Sequence, residues 1–294
     1  MDLNSKLKGI KVLSDNKKEL SERDICSRYI TPSIEASGWK KTQIREEFTL
    51  TPGRIVVHGN MASRNTNPKK KDGPRRADYV LSTESNIQLV VVEAKKNTFS
   101  IGHGMQQALT YAESLDVPFA VSSNGDGFLF HDRTGLTQLV ERELTLSEFP
   151  SCEELWKLYK QWKNIESLEL LKLIEEPYYS DNTGKSPYYY QKVAVDRTIE
   201  AVGRGQDKIL LVMATGTGKT YTAFQIIHRL RSAKKVKRVL FLADRNILVD
   251  QTMLQDFAPF GEHMHKIGNR EVKLVYDIYM SLYHAVTGKE DWKK

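Results

Sequence analysis

Residues 209–220 read Ile-Leu-Leu-Val-Met-Ala-Thr-Gly-Thr-Gly-Lys-Thr, and the second half of the chain is organised around them. Their four leading apolar residues predict a buried strand of a parallel sheet. The glycines predict a tight turn, and residues 221–230 then predict a helix. Backbone N–H groups of such a turn, together with the helix N-terminus, attract a phosphate group. The stretch therefore predicts a nucleotide site.

The last residues of this loop carry the expected chemistry. Lys219 is placed to reach the β- and γ-phosphates of ATP, and the Thr220 hydroxyl to ligate Mg²⁺. Met213 occupies the position of the usual leading glycine. The version found here resembles motif I of superfamily 2 helicases and translocases. The resemblance implies these nucleotide-binding residues: Thr215, Gly216, Thr217, Gly218, Lys219 and Thr220.

Composition points to a soluble cytoplasmic protein with a polyanionic partner. The chain has 294 residues, enough for about two domains, with 40% hydrophobic and 28% charged residues. Its formal net charge of +7 favours an acidic partner such as nucleic acid. Cys26 and Cys152 stand far apart, which suggests reduced thiols. No apolar run is long enough for a membrane span or a secretion signal.

Two apolar runs in the first half predict a hairpin that brings charged groups together. Residues 77–81 and 87–92 read as its strands, with polar residues as the turn. Asp78 begins the first strand, while Glu93 and Lys95 end the second and project to one face. Two carboxylates can hold Mg²⁺, and a lysine can orient water or stabilise charge on a phosphodiester. On these residues alone, an exposed ion pair at a strand end is the alternative.

The pattern resembles the PD-(D/E)xK nuclease superfamily, with Ala-Asp in place of Pro-Asp at residues 77–78. Residues 104–111 predict a helix with Gln107 and Tyr111 on one face. That pair resembles the Gln-x-x-x-Tyr element of RecB-like nucleases, which implies a role in positioning the substrate strand. Glu22 resembles the additional acidic residue of that group, although a helix cap is its alternative. The resemblance implies two metal ligands, Asp78 and Glu93, and these further catalytic residues: Lys95, Gln107, Tyr111 and Glu22.

Other elements complete a predicted α/β domain over residues 1–150. Ser21-Glu22-Arg23-Asp24 predicts a helix start, and Pro32 is expected to end or kink that helix. Further strands are predicted at 48–57 (broken at Pro52-Gly53), 118–122 and 127–131.

A basic loop lies just before the charged hairpin. Between Gly59 and Arg76 the chain carries Arg64, Lys69, Lys70 and Lys71. Clustered cations release counterions from DNA, so the loop predicts a phosphate-contacting arm, and a solvated loop is the alternative.

The second domain, residues 186–294, is predicted to follow a helical connector and linker at 151–185. Gln191 follows three tyrosines and resembles the adenine-reading Q element of superfamily 2 proteins, with a surface glutamine as the alternative. Residues 239–243 predict a second buried strand, and Asp-Arg-Asn at 244–246 resembles motif Ia. A third strand is predicted at 272–276. Strands alternating with helices imply a parallel, RecA-like sheet.

Taken in this order, the motifs resemble the R (HsdR) subunit of type I restriction enzymes. The resemblance implies ATP-dependent translocation of double-stranded DNA, and Mg²⁺-dependent cleavage far from the recognition site. It also implies methyltransferase (M) and specificity (S) subunits as partners, with the target sequence set by the specificity subunit. No apolar strand ending in Asp-Glu follows Thr220, so an N-terminal fragment of a longer motor is expected, without ATP hydrolysis of its own.

Two other functions stay open at this level. One is a nuclease–helicase of DNA repair or of another defence system. Cleavage that depends on unmethylated sites and partner subunits would separate the restriction enzyme from it. The other is a DNA-binding scaffold with a degenerate nuclease fold, against which the intact Asp78, Glu93 and Lys95 argue.

Overall fold

The computed structural model describes residues 16–51, 55–58, 61–64, 73–181, 186–267 and 275–283. The chain divides into two compact units, 1–164 and 165–294. Each unit combines helices with strands, so the predicted α/β class is confirmed. The domain limits assigned from the sequence stay a prediction. Among the described residues, no helix combines the length and the hydropathy that a membrane span requires.

The described strands of the first unit form a mixed sheet and a separate hairpin. They are β1 (Ile44–Thr51), β2 (Ile55–His58), β3 (Met61–Arg64), β4 (Arg75–Ser82), β5 (Gln88–Ala94), β6 (Phe119–Ser123), β7 (Phe128–Asp132) and β8 (Glu141–Leu144). The six-stranded sheet has the order β1-β4-β5-β6-β7-β8, and β2 pairs with β3. β5 and β6 run parallel, whereas the other neighbours in the sheet are antiparallel. The predicted charged hairpin is β4–β5, and it is confirmed.

The helices described in the first unit are α1 (Glu22–Ile25), α2 (Thr31–Ala36), α3 (Met105–Leu115) and α4 (Cys152–Trp162). Ser21 caps α1, since its Oγ accepts the N–H of Asp24 at 3.1 Å. A π-helical turn, Cys26–Ile30, joins α1 to α2. Of the two expected effects, ending or kinking the helix, Pro32 does not have the first, since α2 continues to Ala36. Pro32 lies in the first turn of α2, where a missing N–H is tolerated.

Large apolar side chains make the sheet a rigid platform. Six of those that are almost fully buried are Tyr79, Leu81, Leu89, Phe119, Phe128 and Phe130. Burying each one contributes about 1.5–3 kcal/mol to stability. α3 packs on β5 and β6. The ends of β4 and β5 are thus held by a well-packed core.

The second unit contains a parallel sheet, as predicted. Its described helices and strands are α5 (Leu168–Glu175), α6 (Tyr189–Gly203), α7 (Lys219–Ser232), β9 (Val239–Ala243), α8 (Asn246–Leu254), β10 (Met264–Lys266) and β11 (Ile278–Leu282). The strand order is β10-β11-β9. The third strand predicted at 272–276 is misplaced: residues 272–274 lie outside the described residues, Val275 is 84% exposed, and β11 begins two residues after Tyr276.

The apolar run before the phosphate loop differs from its prediction. Residues 209–214 form no strand, and within the described part of the chain no strand pairs with them. Leu210 and Val212 are 85% and 87% exposed. An apolar run becomes a buried strand only where neighbours complete its ladder and cover its faces. β9 was also predicted as a buried strand, but it is half-buried on one face and exposed on the other, at Leu240 and Leu242.

Buried polar contacts tie α7 to the connector. The Gln225 amide pairs with the backbone of Tyr179, accepting its N–H at 2.9 Å and donating to its carbonyl at 3.2 Å. Arg229, buried to 2% exposure, donates to Asp196 at 2.6 Å and to the Ile174 carbonyl at 2.7 Å. The helix that follows the phosphate loop is therefore fixed within its own unit.

Candidate functional site

The β4–β5 hairpin brings the predicted carboxylates and lysine together. Tyr79 pairs with Val92 in the antiparallel register, so Asp78 lies opposite Glu93 on the neighbouring strand. The N–H of Ala94 donates to Asp78 Oδ2 at 2.7 Å. Lys95 Nζ donates to Glu93 Oε1 at 2.9 Å. The side chains of Glu93 and Lys95 are 3% and 16% exposed, so the alternative of an exposed ion pair is wrong.

Both carboxyl groups hold their protons more tightly than free carboxyls do. Burial, and then the charge of Asp78, raise the pKa of Glu93 to about 8, although Lys95 opposes the shift. Burial also raises the pKa of Asp78, against the opposing hydrogen bond from Ala94. Oε2 of Glu93 is buried and accepts no hydrogen bond from any described residue. The Glu93 carboxylate is therefore paired at Oε1, with Lys95, but not at Oε2.

Lys95 and Glu22 complete the charge cluster. Burial lowers the pKa of Lys95, but the carboxylates of Glu93, Glu22 and Asp78 together outweigh it, so the pKa is raised. Lys95 is therefore a cation at neutral pH. Burial raises the pKa of Glu22, Lys95 lowers it and Asp78 raises it again. Glu22, in the first turn of α1, thus lies close enough to interact electrostatically with Asp78, Glu93 and Lys95.

The predicted Gln107–Tyr111 pair lies on α3. Gln107 Nε2 donates to the Tyr111 hydroxyl at 3.1 Å. Burial, followed by the charge of Glu93, raises the pKa of Tyr111, although its bond to Gln107 opposes this. At the start of the helix, a Cβ on Gly104 would lie 3.2 Å from Glu93 Cγ. Close approach of the helix to Glu93 thus requires this glycine.

The sequence reasoning missed the other wall of this site. A cavity of about 480 Å³ is lined by Asp78 and also by Cys26, Glu46 and Glu47. Glu47 has a φ of +48°, an uncommon value for a non-glycine residue. It pairs with Arg76 at 2.8 Å, and its charge contributes to the raised pKa of Asp78. The only sequence signal for this wall was the pair of adjacent acidic residues, Glu46 and Glu47, just before the predicted strand at 48–57. Burial raises the pKa of the Cys26 thiol to about 12, so this thiol is uncharged.

The residues present fit a hard divalent cation. Among the described residues no three His, Cys, Asp or Glu side chains form a complete metal centre. Mg²⁺, however, binds through one or two carboxylates and fills its remaining positions with water and other oxygens. Asp78 and Glu93 supply two carboxylates, and the buried Oε2 of Glu93 has no protein donor.

The phosphate loop has the backbone geometry that its glycines predicted. Gly216 and Gly218 have φ values of +80° and +77°, and Lys219 begins α7. Lys219 Nζ folds back onto the carbonyl oxygens of Met213 and Ala214, at 3.4 and 3.3 Å. Thr215 is exposed, while Thr220 borders a small cavity next to α8. The loop offers N–H groups and a cation at a helix N-terminus, which suits a polyphosphate.

Gln191 contacts the phosphate loop directly. It is 3% exposed, so the alternative of a surface glutamine is wrong. Its Oε1 accepts the N–H of Tyr188 at 2.9 Å, and its Nε2 donates to the Thr217 carbonyl at 2.9 Å. An amide has a second N–H and a second lone pair, which leaves capacity for an adenine edge. The contact with Thr217 was not visible in the sequence.

Two parts of the predicted basic arm can be located, and the first of them, Met61–Arg64, is strand β3 rather than loop. Arg75 and Arg76 are exposed at the start of β4, and Arg76 is paired with Glu47. Lys69, Lys70 and Lys71 lie outside the described residues.

Comparisons with known proteins assign both units to restriction-enzyme families. Residues 28–144 match the family "Type I restriction enzyme R protein N terminus (HSDR_N)", and residues 184–293 match "Type III restriction enzyme, res subunit". A type I restriction enzyme EcoAI endonuclease subunit from Escherichia coli is 49% identical over 95% of this chain and 34% of its own length. The EcoKI endonuclease subunit from Escherichia coli (strain K12) is 28% identical over 80% of this chain and 23% of its own length.

A solved structure shows the same relationship. The fragment of an HsdR subunit of a type I restriction enzyme from Vibrio vulnificus YJ016 has a TM-score of 0.73 and 36% identity, covering 92% of this chain and 48% of that one. These similarities assign the chain to the endonuclease subunits of restriction enzymes. More narrowly, it belongs to the R (HsdR) subunits of type I restriction enzymes. The chain spans about a third of the length of the first of these relatives.

Proposed function

We propose that this chain supplies the DNA-cleaving centre and the first part of the ATP site of a type I restriction R subunit. The whole subunit would translocate double-stranded DNA with ATP and cut it with Mg²⁺, joined to methyltransferase and specificity subunits. The observation that carries this proposal is the cluster of Asp78, Glu93 and Lys95, in which Glu93 is buried and its Oε2 has no hydrogen-bond donor among the described residues.

Each side chain of the trio has a distinct role in the proposed cleavage. Asp78 and Glu93 would hold Mg²⁺, which supplies an activated water and stabilises charge on the phosphodiester. Lys95 remains protonated beside Glu93, so its ammonium orients the attacking water or neutralises a phosphate oxygen. Tyr111, held by Gln107, lies near Glu93 and would position the strand to be cut. Glu22 adds negative charge that keeps Lys95 a cation.

The phosphate loop has a separate role in the proposed enzyme. Backbone N–H groups around Gly216 and Gly218 would bind the triphosphate, while Lys219 exchanges its carbonyl contacts for phosphate oxygens. Thr220 would ligate the nucleotide-bound Mg²⁺. Gln191 would link the adenine site to the loop through Thr217.

Matched lysine variants of the full-length enzyme with its partner subunits test these roles. Lys219→Ala should abolish ATP turnover, translocation and cleavage together. Lys95→Ala or Asp78→Ala should leave ATP turnover and translocation nearly intact and lower double-strand cleavage by at least about 100-fold. ATPase, translocation and cleavage are measured on one DNA. Near-normal cutting by Lys95→Ala would remove it from the cleavage centre, and cutting without partner subunits would favour a repair nuclease–helicase.

A further inference from the structure

The segment that follows Lys95 carries a stacked aromatic pair on its surface. The rings of Phe99 and His103 lie nearly parallel, with centroids 4.2 Å apart and planes inclined by 17°. Phe99 keeps 43% of its surface exposed, and His103 is exposed too. Single exposed apolar side chains are common and require no explanation. Here, however, the ring lies against a second ring, and both face solvent.

Buried polar side chains fix the backbone that carries this pair. Asn124, only 4% exposed, donates to the Phe99 carbonyl at 2.8 Å. The fully buried Ser122 donates to the Ile101 carbonyl at 2.7 Å and accepts the N–H of Gly104 at 3.0 Å. Both anchors belong to β6 or to the residue after it. The aromatic pair is therefore presented on a pre-ordered loop, which lowers the entropy lost on binding.

The aromatic pair adjoins the proposed cleavage centre. Gly104 follows His103 directly, and its Cα approaches Glu93 so closely that a Cβ would lie 3.2 Å from Glu93 Cγ. On the other side, Lys95 lies four residues before Phe99 and bonds to Glu93. Lys96, next along the chain, is exposed. The rings thus lie on a loop that contacts the Glu93 region at both ends and carries an exposed positive charge.

We propose that Phe99 and His103 form a stacking platform for a DNA base beside the scissile phosphate, which deepens the proposed function and depends on it. Phe99 is the DNA-contacting ring, and His103 is a positioning residue that supports it from behind. Aromatic rings stack on any base because every base has a π-face, so the platform positions the strand without reading its sequence. A base is accessible for stacking where the duplex is locally unpaired or distorted.

Ring variants in the full-length enzyme with its partner subunits test the platform. Phe99→Ala should lower the cleavage rate about tenfold while ATP turnover and translocation stay unchanged. Phe99→Trp should restore cleavage to within about twofold of the wild type, because it keeps a stacking face. Leu139→Ala is the matched control, since Leu139 is an exposed apolar residue, at 64%, in the same unit but on the loop before β8.

A binding measurement separates the two rings. In the Asp78→Asn background, which prevents cutting, the 294-residue chain is titrated with a duplex that has a short gap opposite 2-aminopurine. Stacking on Phe99 should change the fluorescence of the base analogue, and Phe99→Ala should remove the change. His103→Ala should weaken binding about threefold, and His103→Phe should restore it because a stacked ring is regained.

The outcomes distinguish this inference from the proposed function. Normal cleavage by the Phe99→Ala, His103→Ala double variant, combined with loss of cleavage in Asp78→Ala, would overturn the platform alone. Full cleavage by Asp78→Ala would overturn the proposed function and the platform with it. Loss of ATP turnover together with cleavage in Phe99→Ala also counts against the platform, because a local DNA contact at the cut should not affect the motor.

Discussion

The proposed cleavage centre and the phosphate loop both adjoin apolar runs, yet they are held in different ways. Asp78 and Glu93 lie on paired strands of a six-stranded sheet, with Glu93 buried and Asp78 half-buried. The phosphate loop is largely exposed and follows a segment that pairs with no strand in the described part of the chain, and Lys219 bonds to carbonyl oxygens of its own loop. Paired strands thus give the first site its geometry before any ligand binds.

The difference shows which structural feature each site depends on. In the cleavage centre, folding forces carboxylates together at a cost to their charged forms, which creates a demand for a cation. In the phosphate loop, glycine backbone geometry and the Gln191–Thr217 bond set the shape. Cleavage should therefore be most sensitive to substitutions that change charge in the cleavage centre. ATP binding should be most sensitive to substitutions that change the backbone of the phosphate loop.

Of the variants that test this comparison of the two sites, Gly218→Ala in the full-length enzyme should have the largest effect. Gly218 has a φ of +77°, and a Cβ would lie 2.4 Å from Gln191 Nε2. A left-handed conformation costs about 1–2 kcal/mol and a broken hydrogen bond about 1 kcal/mol, so ATP binding should weaken about 50-fold. Equilibrium titration with a fluorescent ATP analogue measures this. Gly205→Ala, with a φ of +83° and open space around it, is the control for strain alone and should bind ATP normally.

A smaller effect should be seen in the pH dependence of stability. Burial raises the pKa of Glu93 from 4.5 to about 8, so between these values the folded chain binds more protons than the unfolded chain. The free energy of unfolding should therefore fall as pH rises from about 4.5 to about 8. Denaturant unfolding without divalent metal measures it. Glu93→Gln should remove the fall, while the exposed control Glu113→Gln keeps it; an unchanged slope in Glu93→Gln would assign the effect elsewhere.

A backbone change in the cleavage centre should be milder than one in the phosphate loop. A Cβ on Gly104 would lie 2.9 Å from Ser122 Oγ and 3.2 Å from Glu93 Cγ, so Gly104→Ala must displace these side chains. Cleavage by the full-length enzyme should fall about tenfold, with normal ATP turnover. Gly38→Ala is the control, since its φ is +95° and no atom lies within 4 Å of the added Cβ. Full activity of Gly104→Ala would mean that the helix adapts without moving Glu93.

The smallest effect concerns the basic arm. Neutralising Lys69, Lys70 and Lys71 together should weaken non-specific DNA binding and flatten its salt dependence, by a slope of about 0.9 for each DNA phosphate that the arm no longer neutralises. Arg76→Ala should change the slope less, because Arg76 is already paired with Glu47. Binding isotherms at several salt concentrations provide the test. Unchanged slopes in the triple variant would identify the arm as a solvated loop.

Local patterns predicted the elements that carry the cleavage centre, because short-range signals determine them. Residues close together in the sequence determine each of these elements: the β4–β5 hairpin, the Ser21 cap and the α3 helix. The alternation of side chains in strands then predicted that Asp78, Glu93 and Lys95 would meet.

Other errors and omissions involve partners distant in sequence. Residues 209–212 were predicted to form a strand, but a strand requires neighbours that the run itself does not specify. The bond from Gln191 to Thr217 joins residues 26 positions apart. Likewise, the proximity of Glu47 to Asp78 depends on the pairing of β1 with β4, which no local pattern encodes.

The exposed apolar run also affects how this chain behaves in solution. Leu210 and Val212 are almost wholly hydrated, and Leu240 and Leu242 are exposed on β9. Water excluded from such side chains stabilises association by about 25 cal/mol for each Å² removed from contact with solvent. Sulfate and phosphate salts strengthen this effect and dilute urea weakens it. The purified chain should therefore self-associate reversibly through its second unit as sulfate is added. The associated form should dissociate again at a urea concentration too low to unfold the first unit.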